Sequence, residues 1–133
     1  MIRRMLVLAP FICVCHFAVA HHSASALFDM QRMVNVEGVV TEVWFQNPHS
    51  RYYVEVEVED GVGGKALWEV ETMSPNWFIR RGWDEETVVV GMKVRAEGRP
   101  ARNGANRMLL RILHRQGKEI YRWIRPASPV IML

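Results

Sequence analysis

The chain has 133 residues, half of them hydrophobic and 23% charged, with a formal net charge of +3. That length holds one domain and not two. Its cysteines, Cys13 and Cys15, sit together near the start, which excludes a disulfide framework or thiolate metal site in the body of the chain.

The chain opens MIRRMLVLAPFICVCHFAVA. Arg3 and Arg4 form a positive n-region, Met5 to Val14 an apolar h-region, and Ala18-Val19-Ala20 a small-residue cleavage pattern. The apolar run is too short and interrupted for a stable membrane span. Residues 1–20 therefore read as a signal peptide, and the protein as an exported one, periplasmic or secreted. A cut after Ala20 makes His21 the first residue. Ala24-Ser25-Ala26 is a second cleavage pattern, and a cut there discards His21 and His22. Residues 21–33 form a leader, 34–125 the folded domain and 126–133 a tail. Charge divides along the chain: His21 to Ile79 carries 3 basic and 9 acidic residues, Arg80 to Leu133 12 basic and 5 acidic. Such a dipole offers a basic face to anions, although the same residues also suit the solvated faces of strands.

Within the domain, VNVEGVVTEVWFQNPH predicts a long first strand. Val34, Val36, Gly38 and Val40 share one phase, but Val43 and Phe45 then carry the apolar face. A slip by one residue near Thr41-Glu42 predicts a β-bulge. RYYVEVEVED alternates, with Tyr52, Val54, Val56 and Val58 on one face and Tyr53, Glu55, Glu57 and Glu59 on the other. DGVGG is a turn, and KALWEVET a third strand paired to the second. In TMSPNWFIRRGW, Ser74 suits an N-cap, Pro75 the first helical position and Gly82 the residue past the end, predicting a helix of about two turns. MKVRAEGRP and RMLLRILHRQ are the fourth and fifth strands, and QGKEIYRW a further hairpin end. This order predicts a mainly β protein: a small five-stranded, OB-like Greek-key barrel with one short helix between strands 3 and 4.

The sequence carries no nucleotide-binding glycine motif, no nucleophile elbow and no zinc-protease signature, so no enzyme is expected. The glutamates of the second strand line an outer face in water. The distinctive groups are histidines. Pro48 presents His49 at the mouth of the loop between strands 1 and 2, while His114 reads as a surface residue among arginines. If His21 is the first residue, its α-amino and imidazole nitrogens form a chelate, and an imidazole from His49 or His22 completes a three-nitrogen site suited to Cu(II). His21, His22 and His49 are thus the candidate metal ligands, with copper the candidate cofactor. Meeting His49 by running back along a straight first strand of about 43 Å requires a nearly extended leader; a helical one reaches about 20 Å. The alternative is a non-catalytic module that binds a glycan, an anion or a protein partner through Trp44, Tyr53, Trp77, Arg80 and Arg81. Trp83, after Gly82, also suits a packing anchor on the helix end. Nucleic acid is not expected as a partner of an exported protein.

The HHS block at 21–23, Phe28-Asp29, Glu37-Gly38, Asn47-Pro48-His49, Ser74-Pro75-Asn76, Arg80-Arg81-Gly82-Trp83 and GRPARNG at 98–104 occur in the order of a known family. The chain resembles a family of exported bacterial proteins catalogued as a domain of unknown function. The resemblance implies secretion and a small β-rich domain, and no particular activity. It also implies a histidine before Pro100, where this sequence has Arg99.

Overall fold

The computed structural model describes residues 24–58 and 63–123. The elements in chain order are α1 (Ala24–Leu27), β1 (Val34–Trp44), β2 (Arg51–Glu57), β3 (Lys65–Glu71), α2 (Pro75–Ile79), β4 (Lys93–Pro100), β5 (Arg107–Arg115) and β6 (Lys118–Arg122). The sheet order is β3-β2-β1-β4-β5-β6, and β3 also pairs with β5. That extra pairing closes β1, β2, β3, β5 and β4 into the expected five-stranded OB-like barrel. β6 is a sixth strand added outside the ring, turned back from β5 through Gln116 and Gly117, both at positive φ. The pairing of Arg115 with Lys118 leaves these two as a two-residue hairpin loop of the kind that suits strand twist.

Alternation builds the inner face. Val36 and Val40 of β1, Tyr52 and Val54 of β2, Val70 of β3, Val94 and Ala96 of β4, and Met108, Leu110 and Leu113 of β5 are buried together. The phase slip in β1 is a bulge: Val40 pairs with Val54 and Glu42 with Tyr53, leaving Thr41 unmatched. The Thr41 hydroxyl donates to the Tyr53 carbonyl at 3.3 Å. Beyond the bulge, Val43 and Phe45 turn inward and pack against the core. At Gly38, β1 and β2 lie too close for a side chain. A Cβ there would lie 2.1 Å from the Glu55 carbonyl oxygen. A second bulge lies between β4 and β5. Glu97 pairs with Ile112 and Gly98 with Leu110, so Arg111 is the extra residue.

The helix plugs one end of the barrel. It spans five residues rather than two full turns. Ser74 precedes it in extended geometry with no side-chain cap bond, and Pro75 sits at its start. Its end is a Schellman turn. Gly82, at φ +79°, donates to the Ile79 carbonyl, and Trp83 donates to the Phe78 carbonyl. The Trp83 ring then stacks on Phe78 at 4.9 Å between centroids, so Trp83 is the packing anchor that its position suggested. Phe78 is fully buried beneath Trp77, Trp83, Tyr121 and Phe45. Burying one such ring contributes about 2–3 kcal/mol, and its ring contacts add to that.

The barrel closes on a charged seam. Glu69, Val70 and Glu71 of β3 pair in parallel with Arg107, Met108 and Leu109 of β5. Arg107 Nε lies 3.1 Å from Glu69 Oε1, and its Nη2 bonds the buried Glu71 carboxylate. Arg51 Nε also meets Glu69 Oε1, at 3.4 Å.

Candidate functional site

The leader does not run extended along β1. Residues Ala24–Leu27 form a helical turn. Phe28 then bridges Ala101 and is 1% exposed, an anchor within the segment that the sequence reading gave only as a leader. Arg102 holds the turn from the opposite side: its Nε donates to the Ser25 carbonyl and its backbone N–H to the Leu27 carbonyl, each at 2.9 Å. The Arg107 guanidinium lies 5.4 Å from the Phe28 ring centroid. The leader is therefore fixed across the end of β4 and the start of β5, beside the seam.

Barrel closure shortens the route from the leader to His49. The path goes around the rim, not back along β1. Phe28 neighbours Ala101, Ala101 donates to the Arg107 carbonyl, β5 pairs with β3, and Glu71 pairs with Arg51, two residues from His49. Four strand steps amount to about 19 Å along the curved rim. Seven residues separate Phe28 from His21. His21 and His22, together with the Ala20 cleavage position, lie outside the described residues.

His49 is exposed, and its Nδ1 lies 3.1 Å from the Thr72 carbonyl oxygen. A carbonyl oxygen only accepts, so this contact is a hydrogen bond when Nδ1 carries the proton. In that tautomer Nε2 keeps its lone pair. Ser50 and Thr72 clamp the backbone below: the Ser50 N–H donates to the Met73 carbonyl and the Thr72 N–H to the Ser50 carbonyl. Both residues are buried, which ties the His49 loop to the end of β3. The apolar periodicity used to read the strands gave no sign of these two small polar residues. Among the described residues, no group of three histidine, cysteine or acidic side chains is placed to hold a metal ion.

The residues of the alternative binding face fall into separate groups. Trp44 is 42% exposed at the end of β1, where its Nε1 bonds Glu42. Tyr53 is half-buried on the outer face of β2. Trp77 belongs to the cluster over the barrel end, edge-on to Phe78 and Tyr121. Arg81 covers Trp77, its guanidinium 3.6 Å from the ring centroid, and donates to the Trp77 carbonyl. Arg80 donates from Nε to the Asn76 carbonyl at 3.1 Å. Both arginines thus hold the last carbonyls of α2, where positive charge complements the helix end. His114 is half-buried rather than a surface residue, with Nε2 3.3 Å from Glu97. Arg99 donates from Nη1 to the Arg32 carbonyl at 2.9 Å and so ties the leader to β4.

No described helix is long and apolar enough to cross a membrane. Among solved structures, the chain is similar to Rim1, a mitochondrial single-stranded DNA-binding protein from S. cerevisiae. The identity is 12% and the TM-score 0.49, over 64% of this chain and 93% of that one. It is also similar to a small single-stranded DNA-binding protein from Streptomyces coelicolor, at 16% identity and TM-score 0.41, over 63% of this chain and 90% of that one. No curated protein matches it. A family model matches residues 9–110, more than half of the chain, and the protein belongs to that family, the family of unknown function DUF6152.

Proposed function

We propose that the protein is an exported, non-catalytic metal-binding barrel that takes Cu(II) at its processed N-terminus. The α-amino and imidazole nitrogens of His21 supply two donors and His49 Nε2 the third, with His22 the alternative imidazole. One observation carries the reading: the Nδ1 contact between His49 and the Thr72 carbonyl. Metal-ligating histidines commonly donate their other ring N–H to a carbonyl or carboxylate, which fixes the tautomer and orients the lone pair. The rim path supports it, because a leader anchored at Phe28 starts close to the seam beside Arg51. Nitrogen donors in a near-planar set favour Cu(II) over other first-row divalent ions.

Nucleic acid fits less well. The strands β1 to β3 carry Glu37, Glu42, Glu55, Glu57, Glu69 and Glu71 against Arg51 and Lys65. Phosphate-backbone binding draws its affinity from the opposite balance.

The test is Cu(II) titration by calorimetry on four proteins: one starting at His21, one with an extra alanine before His21, and two variants starting at His21, His49→Ala alone and His49→Ala with His22→Ala. Losing a donor weakens binding by more than the ~10–100-fold that loss of an outer-shell partner costs. Equal affinity in the alanine-extended protein removes the α-amino group from the site. Equal affinity in His49→Ala removes His49 and leaves His22 as the third donor, and equal affinity in the variant that carries both His22→Ala and His49→Ala overturns the proposal. Imidazole and amine donors bind metal only when deprotonated, so affinity also falls on acidification from neutral pH.

A further inference from the structure

The bulge between β4 and β5 has a chemical result on the outer face of the sheet. It leaves two consecutive residues, Arg111 and Ile112, half-buried between the buried Leu110 and Leu113. Arg99, opposite Leu109 on β4, is half-buried between the buried Gly98 and Pro100. It is a diagonal neighbour of Arg111, at a separation of about 7 Å by strand geometry.

Each of these arginines is steadied from one side. Arg99 Nη1 donates to the Arg32 carbonyl at 2.9 Å. The Arg111 guanidinium lies 4.0 Å from the Trp123 ring centroid. The Trp123 backbone N–H donates to the Arg111 carbonyl at 2.7 Å, which holds the residue beside Arg111. Among the described residues, neither guanidinium has a carboxylate partner. The acids of this region are taken: Glu97 by Arg95 and His114, Glu119 by Arg122, Glu37 by Lys93. Arg99 Nε is buried with no hydrogen-bond partner. Burial, and then the charge of Arg99, push the Arg111 guanidinium below its usual value. Two like charges side by side and partly out of water are a cost that a bound anion would remove.

We propose that Arg99 and Arg111, with the Trp123 ring against Arg111, form an oxyanion site on the outer face of β4 and β5 that takes phosphate or a small phosphomonoester. A guanidinium fork matches two oxygens of an oxyanion. Two forks approaching from adjacent strands exceed what one carboxylate accepts and suit a tetrahedral anion with three or four oxygens. The double positive charge suits a dianion.

The test titrates inorganic phosphate, and separately glycerol phosphate, into the metal-free intact protein at constant ionic strength. The readout is the NMR signals of the arginine Nε–H groups and the tryptophan indole N–H groups. Dissociation constants of about 1 mM or below are expected, with the Arg111 and Trp123 signals shifting together. Arg99→Met and Arg111→Met each weaken binding at least tenfold, and the double variant abolishes it. Arg111→Lys keeps the charge, loses the fork and also weakens binding, so a folding defect in the methionine variants does not leave the question open. Binding of both probes assigns the phosphomonoester class, and binding of inorganic phosphate alone assigns the free anion. Phosphate shifts that leave Arg111 and Trp123 unmoved, or equal affinity in the wild type and the double variant, overturn the proposal.

Discussion

Replacing Gly38 with alanine tests how closely β1 is wound onto β2. A Cβ at this position would meet the Glu55 carbonyl oxygen at 2.1 Å, its carbon at 2.9 Å and a Val54 methyl at 3.0 Å. The first two contacts are backbone and cannot rotate away, so the strands must separate by about 1 Å to restore ordinary contact. That stretches ladder hydrogen bonds of about 2.9 Å beyond bonding range at the pair beside Gly38, Val39 with Glu55; the Val40 backbone bonds Met92 and Gly91 on the other side instead. Two weakened bonds and the crowding of Val54 cost about 3 kcal/mol together. Alanine also restricts the unfolded chain, a gain of up to about 1 kcal/mol. The clash wins, with a net loss of about 2 kcal/mol. For a domain of this size, that lowers Tm by roughly 8–16 °C. Thermal unfolding followed by circular dichroism measures it, with Val39→Thr as control. Val39 is the next residue but is 41% exposed on the outer face, so its substitution moves stability by no more than about 0.5 kcal/mol. A Gly38→Ala protein that melts within about 2 °C of wild type refutes the close-approach argument.

The seam pair Glu71 and Arg107 is expected to be energetically coupled. Glu71 is buried, while the Arg107 side chain is 31% exposed, so solvent discounts the pair and a coupling of about 1–2 kcal/mol is expected. A double-mutant cycle with Glu71→Gln and Arg107→Met measures it, and a coupling below about 0.3 kcal/mol contradicts the pinned seam. At high pH the expected outcome is cooperative unfolding. Burial and then the neighbouring Tyr121 raise the Tyr52 hydroxyl above its ordinary 10.0. Burial also raises Tyr121, against the opposing effect of the Thr72 hydroxyl. Both stay neutral when folded, whereas the unfolded chain ionises them near 10 and gains by it. Their effect is absent below pH 10 and destabilises the fold increasingly above it. Tyrosinate absorbance and circular dichroism recorded on one pH series should show these two tyrosines ionising only as the fold is lost; full tyrosinate signal in a native spectrum contradicts their burial.

The β1 bulge was legible because its strand alternates. Val36, Gly38 and Val40 share a phase that Val43 and Phe45 do not, and only an extra residue reconciles the two. The bulge at Arg111 was not legible. RMLLRILH is apolar on both faces, with Leu109, Leu110, Ile112 and Leu113 nearly contiguous, so no phase exists to slip. The helix end was readable because Gly82 and Trp83 occupy the two positions that a Schellman turn specifies. Its length was overestimated: the backbone turns at Gly82, and Arg80 and Arg81 spend their side chains on its last carbonyls. The route from leader to His49 was misjudged for a topological reason. Distance along a strand says nothing about distance across a rim once β3 meets β5. The tautomer-fixing carbonyl of Thr72 lies 23 residues from His49 and carries no sequence signal, since any residue supplies a carbonyl.

The seam also sets the order in which this ring can assemble. Every other neighbouring pair in the ring except β1 with β4 is joined by a connection within one run of strands: β1 to β2 to β3 on one side, β4 to β5 on the other. The seam joins Glu69 to Arg107, thirty-eight residues later, through three pairs alone. Closing a loop of that length costs about 3 kcal/mol of chain entropy before any contact rewards it. Two strand units that form locally and then meet are the economical route, with ring closure late and the folding rate that of a non-local β topology, in milliseconds to seconds. Run backwards, the same logic makes the seam the first part to open: the backbone N–H groups shared by β3 and β5 exchange with solvent ahead of those in the β1–β2 ladder, and each opening releases the leader's anchor beside Arg107 as well.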